Sequence, residues 1–110
     1  MMIDPNARLR KLIRRLRSDN DMKRIHAGLL LGRMGPGAKE AVPALLDLLK
    51  DASARNRRLA AWTLGYIGDG AVEAIPALLL AVRDADEGVR KMAREALDKI
   101  SPAGPLARAA

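Results

Sequence analysis

One histidine, three arginines spaced 33 residues apart and two aspartates in the same frame are the groups with which this 110-residue chain could do chemistry. Arg24, Arg57 and Arg90 could form a ladder for anions. Asp51 and Asp84 argue for a structural ladder instead, because each lies six residues before an arginine, within reach across one turn. Position 18, which would extend the pattern, is Ser18, so Arg24 is the rung expected to be free. His26 is followed by Ala27 and has no second histidine to complete a metal site, so a satisfied or half-buried position at the edge of the core is expected. Cysteine is absent, which removes disulfides, thiol nucleophiles and cysteine–metal sites. No constellation here supports catalysis, and neither cofactor nor metal is expected.

These groups recur because the chain recurs. Shifted by 33, Gly65, Gly68, Gly70, Pro76, Leu78 and Asp84 fall on Gly32, Gly35, Gly37, Pro43, Leu45 and Asp51. Arg57, Ala60, Leu64 and Ile67 likewise fall on Arg90, Ala93, Leu97 and Ile100. A fixed period of this length marks a stack of repeated helical units. With no Phe, one Trp and one Tyr, the core must be built from Ala and Leu.

The elements that position these residues read as helices. Asp4 and Pro5 suit the N-cap and first turn of a helix whose Leu9, Leu12, Ile13 and Leu16 form one apolar stripe. Asp19, Asn20 and Asp21 supply caps for a helix over about 22–34, closed by Gly35 in a left-handed cap. A partner helix is expected over about 39–50, with Pro43 in its first turn or so. The pattern returns over 55–67 and 72–83, and a more polar helix spans about 86–100, where Arg94, Glu95 and Asp98 replace Gly28, Leu29 and Gly32. A terminal unit meets water where an inner one meets a neighbour, so this polarity fits an end. One domain over 1–101 follows, with a half unit at 5–18, units at 19–51 and 52–84, a half unit at 85–101 and a frayed tail at 102–110.

R-x-x-A-x-x-x-L-G-x-[IM]-G at Arg24 and Arg57, its truncated echo at Arg90, and A-[VI]-P-A-L-L at Ala41 and Ala74 resemble HEAT-like repeats of the short, phycobilisome-lyase type. Ankyrin repeats share the period, but their T-P-L-H-x-A opening is missing. The resemblance implies an all-α, right-handed α-solenoid of about three helical-hairpin repeats, with second helices lining a concave face. It implies no chemistry, because similar scaffolds serve binding proteins, chromophore lyases and a few enzymes. Iron-dependent deoxyhypusine hydroxylases resemble this fold but hold metal through His-Glu pairs, which this chain lacks.

The expected function is a non-enzymatic protein–protein interaction module. On the second helices, the face opposite the core stripe carries Arg10, Lys11, Arg14 and Arg17, then Pro43, Ala44, Asp47 and Lys50, then Pro76, Ala77, Leu80 and Arg83. Stacked, these give a groove that is basic at one end and apolar near Leu80, which replaces Asp47. Trp62 and Tyr66, one turn apart and rotated off the core stripe, are expected to cover a seam or to anchor a partner. The net charge of +7 is concentrated in residues 1–17, where six basic groups face Asp4 alone. Nucleic acid or an anionic surface is the alternative partner, opposed by the scarcity of aromatics for stacking. A bilin-binding, lyase-like module is a second alternative, carried only by the resemblance. Open repeat ends allow self-association. The N-terminus has no long apolar run, the nearest candidate, LLLGRMG from Leu29, is too short to span a bilayer, and a cytoplasmic location is expected by default.

Overall fold

Six α-helices account for most of residues 4–100, the part of the chain that the structure, a computed structural model, describes. They are α1 (Ala7–Leu16), α2 (Asp21–Met34), α3 (Val42–Leu48), α4 (Ala54–Ile67), α5 (Ile75–Ala81) and α6 (Glu87–Ile100). Tighter 3-10 turns run over Gly35–Ala41 before α3 and over Gly68–Ala74 before α5. No strand occurs among the described residues. The tail expected at 102–110 lies outside them.

Local chemistry sets the boundaries. Asp4 does not cap α1 as expected: its carboxylate accepts from the Asn6 N–H at 2.8 Å and pairs with Arg10, which delays the helix to Ala7. Asn20 caps α2, its side-chain oxygen accepting from the Lys23 N–H at 3.0 Å. Asp86 does the same for α6, accepting from the Val89 N–H at 2.9 Å. Gly35 ends α2 at φ 58, ψ −139, and Gly68 ends α4 at φ 66, ψ −130. Both have positive φ, but their ψ values lie far from the left-handed helix, in a region only glycine occupies at low cost. This backbone geometry explains why the second helices are shorter than expected. The chain leaves the glycine in 3-10 turns, interrupted at Ala38 and again at Ala71, and reaches α-helical geometry only at Val42 and Ile75. Pro43 and Pro76 then fall in the first turn, where no intrahelical N–H is needed.

The helices form two layers. In one, α2 packs on α4 and α4 on α6; in the other, α1, α3 and α5 follow each other, each packed against the next helix of the first layer. The shared core is aliphatic: Leu16, Leu31, Leu45, Leu64, Ile67, Leu78, Val89 and Ile100 are fully buried. Leu45 and Leu78, equivalent under the repeat, are equally inaccessible, as an α-solenoid requires. The stretch Ala54–Ala81 is long and apolar enough, by length and composition, to cross a bilayer, an 18-residue window of it having a mean hydropathy of 1.4. It is no single rod, however, because Gly68 and Ala71 break it into α4, a turn and α5, with α4 packed between α2 and α6.

Small residues set the spacing of the first layer. A side-chain carbon added to Gly28 would lie 2.7 Å from Leu59 Cδ1, and one on Gly65 would lie 2.8 Å from the Ala96 Cα. Arg94 and Asp98, which occupy the corresponding positions on α6, are exposed.

Candidate protein-docking surfaces

The arginine ladder is present, but shifted by one rung from the expected pairing. Arg57 does not pair with the Asp51 carboxylate; its Nη1 donates to the main-chain oxygens of Asp51 and Ala52, at 2.8 and 2.9 Å. Its other edge grips Asp84, with Nε donating to Oδ2 at 2.9 Å and Nη2 to Oδ1 at 3.1 Å. Bidentate geometry of this kind is the strong form of the arginine–carboxylate pair. It holds the Asp84 carboxyl below its ordinary value, helped by the Asp86 N–H, and raises Arg57 above its own.

Arg24, expected to be free, is the most enclosed of the three at 9% exposure. It donates to the Ser18 main-chain oxygen and pairs with Asp21, while its Nε reaches Asn56 Oδ1 at 3.1 Å. Asn56 in turn donates to Asp51 Oδ2 at 3.0 Å, so an amide bridges a gap that Arg57 and Asp84 close directly. The Ser53 N–H, then Asn56, hold the Asp51 carboxyl below its usual range. Arg90 donates through Nη1 to the main-chain oxygens of Asp84 and Ala85, at 2.7 and 3.1 Å. These contacts join the two layers and the turns between units.

The open face of the α1–α3–α5 layer is where the side chains become available. Arg10, Lys11, Arg14 and Arg17 are exposed on α1 and its end, Pro43, Asp47 and Lys50 on α3 and its end, and Pro76, Leu80 and Arg83 on α5 and its end. Ala44, grouped with this face in sequence, is buried instead. Arg17 crosses to Asp47 at 3.1 Å, joining α1 to α3, although a pair this exposed adds little stability. Leu80 is 76% exposed and borders a cleft of about 180 Å³ with Leu49, Lys50, Ala77, Ala81 and Asp84. The face therefore grades from cationic at α1 to apolar at α5.

On the other layer, Trp62 and Tyr66 stack at 4.4 Å between ring centroids, tilted by 35°. Trp62 is half-buried and Tyr66 is exposed, with Lys99 Nζ 5.0 Å from the Tyr66 ring. A side-chain carbon on Gly32 would lie 3.0 Å from Trp62 Cζ3, so the indole seals the α2–α4 seam. Beside it, Leu29, Leu59, Trp62 and Met92 line an open apolar depression of about 410 Å³, rimmed by Arg58 and Lys91. Sequence reading missed Leu29, Leu59 and Met92 as one patch, although their positions in the repeat frame place them on neighbouring rows. His26 is exposed rather than half-buried. Among the described residues, no three His, Asp or Glu side chains converge as a metal site would require.

A family model for HEAT repeats matches residues 9–104. No curated protein matches the chain.

Proposed function

This chain belongs to the HEAT-repeat family, and we propose that it acts as a non-enzymatic module that docks an acidic, partly apolar segment of another protein along the α1–α3–α5 face. HEAT repeats are commonly protein-interaction scaffolds, and the finer reading rests on how this face is filled. Its main support is Leu80, exposed where the preceding unit carries Asp47 and in line with the cations of α1. An apolar anchor at one end and Lys11 and Arg14 at the other suit a segment with a hydrophobic residue and neighbouring carboxylates. The Trp62–Tyr66 patch is a second contact surface, since partly exposed aromatics commonly anchor partners. Generic nucleic acid fits less well. Arg10 and Arg17 already hold carboxylates, and both aromatic residues lie on the other layer.

The test is a photo-activated cross-linker placed at position 80 and, separately, at 66, in the native cells. A discrete adduct from position 80 that disappears with Lys11→Glu and Arg14→Glu together is expected, with helicity unchanged. An adduct indifferent to that charge reversal, or none at all, would contradict the reading.

A further inference from the structure

The depression beside Trp62 differs from its neighbours in the charge of its lining. Its walls are Leu59 and Trp62 of α4 and Met92 of α6, with Leu29 of α2 at the far side. Its rim carries Arg58 and Lys91 and no carboxylate. The cleft at Leu80 sets Lys50 against Asp84, and a polar cleft between α1, α3 and the turns after them sets Arg17 and Arg24 against Asp19, Asp47 and Asp51. Those two balance their own charge, whereas this one leaves two cations beside an apolar floor.

Both cations are available. Arg58 Nε stands 3.5 Å from Asp86 Oδ2, and that carboxylate already accepts the Val89 N–H that caps α6. Gly88 makes room for the Arg58 stem, since a side-chain carbon there would lie 2.5 Å from Arg58 Cδ. Lys91 is exposed and forms no ion pair with Glu87 or Glu95, one turn to either side, nor with any other carboxylate among the described residues. The two cations share one column of the repeat, each directly before a wall residue, Leu59 or Met92. The Arg58 side chain stays 49% exposed although α2 packs on one side of its helix and α6 on the other, so this rim belongs to the body of the layer.

We infer that this depression takes a large apolar side chain of a partner protein flanked by carboxylates, with the apolar group against Trp62 and Met92 and the acids at Arg58 and Lys91. The inference rests on the reading of Trp62 and Tyr66 as a second contact surface, and it names the chemistry that surface selects. Charge complementarity decides the occupant: a basic segment would meet two like charges, and a neutral one would leave both without a counter-charge. Apolar contact supplies most of the affinity, because exposed cations are screened by water and salt. Met92 can shape itself to the inserted group. On the Leu80 face the apolar anchor and the cations lie at opposite ends; here the apolar residue and its acids must be neighbours in the partner's sequence.

Trp62 is the only tryptophan, so its emission reports on the depression directly. The test is titration of the whole protein, at low salt, with the capped peptides GEFEG, GQFQG and GEAEG. GEFEG is expected to move the emission saturably to shorter wavelength. GQFQG should bind about fivefold more weakly, the combined worth of two exposed ion pairs, and GEAEG more than about tenfold, as for loss of an anchor. Lys91→Gln should shrink the difference between GEFEG and GQFQG, whereas Lys11→Glu with Arg14→Glu should leave it unchanged, which separates this site from the α1–α3–α5 face. The peptide comparison leaves the protein untouched, so it stays decisive if a variant unfolds. Equal binding of GEFEG and GQFQG would overturn the inference while leaving Trp62 and Tyr66 as a contact surface. No response up to millimolar peptide, a response to decanoate alone, or an emission that shifts on dilution of the protein by itself would each overturn it as well, the last two by assigning the depression to an amphiphile or to a second copy.

Discussion

The two layers are built from the same repeat but spend their residues differently. In the α2–α4–α6 layer, Gly65 lets α6 approach until an added carbon would collide with the Ala96 backbone, and Gly28 and Gly32 lie close under the side chains of Leu59 and Trp62. In the α1–α3–α5 layer, the corresponding freedom appears on the surface: the face that carries Asp47 in one unit carries Leu80 in the next. Tight packing restricts what evolution can vary. Both layers build the core, but the α2–α4–α6 layer is spaced by small residues, whereas the open face of the α1–α3–α5 layer varies in polarity from unit to unit.

The largest effects should come from the core both layers share. Leu45→Ala and Leu78→Ala should each cost about 3 kcal/mol in denaturant unfolding, the usual loss for a buried leucine, because both are fully inaccessible. A marked difference between them would break the equivalence of the units. Next comes Gly65→Leu, expected to cost about 2 kcal/mol through overpacking, since the backbone of Ala96 stands in the way. Gly37→Ala, with nothing within 4 Å of the added carbon, should stay within about 0.5 kcal/mol. Equal effects at the two glycines would erase the claim that close approach defines the first layer.

Acid should loosen the ladder with a defined sign. Hydrogen bonds, from the Ser53 N–H and Asn56 to Asp51 and from Arg57 to Asp84, hold both carboxyls below the ordinary aspartate value in the folded protein. Their stabilising contribution is therefore complete above that value and is lost as pH falls through the lower folded-state values. The thermal midpoint should drop on acidification below pH 4, and the drop should shrink in Asp84→Asn. An unchanged acid slope in that variant would remove the ladder from the account of stability.

The repeat was legible because period and composition act together: Gly35 and Gly68, Pro43 and Pro76, and Leu45 and Leu78 sit in one frame and adopt matching structures. What stayed hidden depended on distance through space rather than along the chain. Spacing alone pointed Arg57 at Asp51, six residues away; folding brings Asp84, 27 residues away, to its fork and leaves the nearer residue to offer a carbonyl. Asn56 has no counterpart in the other units, so its bridge between Arg24 and Asp51 left no periodic signal. The 3-10 turns were concealed because Lys39–Ala41 and Val72–Ala74 carry residues compatible with either helix type. For the candidate face, exposure of Leu80 followed from its register, whereas burial of Ala44 depended on how closely its neighbours pack.

The central claim is that the open face of α5 recognises a partner without supporting the fold, and Leu80→Glu tests it most directly. Thermal unfolding and cross-linking from a neighbouring position, Arg83, should be measured on the same variant. The expected result is stability within about 0.5 kcal/mol of the parent, as for other surface substitutions, together with loss of the cross-linked partner. A variant that keeps its partner, or one that loses it only by unfolding, would contradict the account.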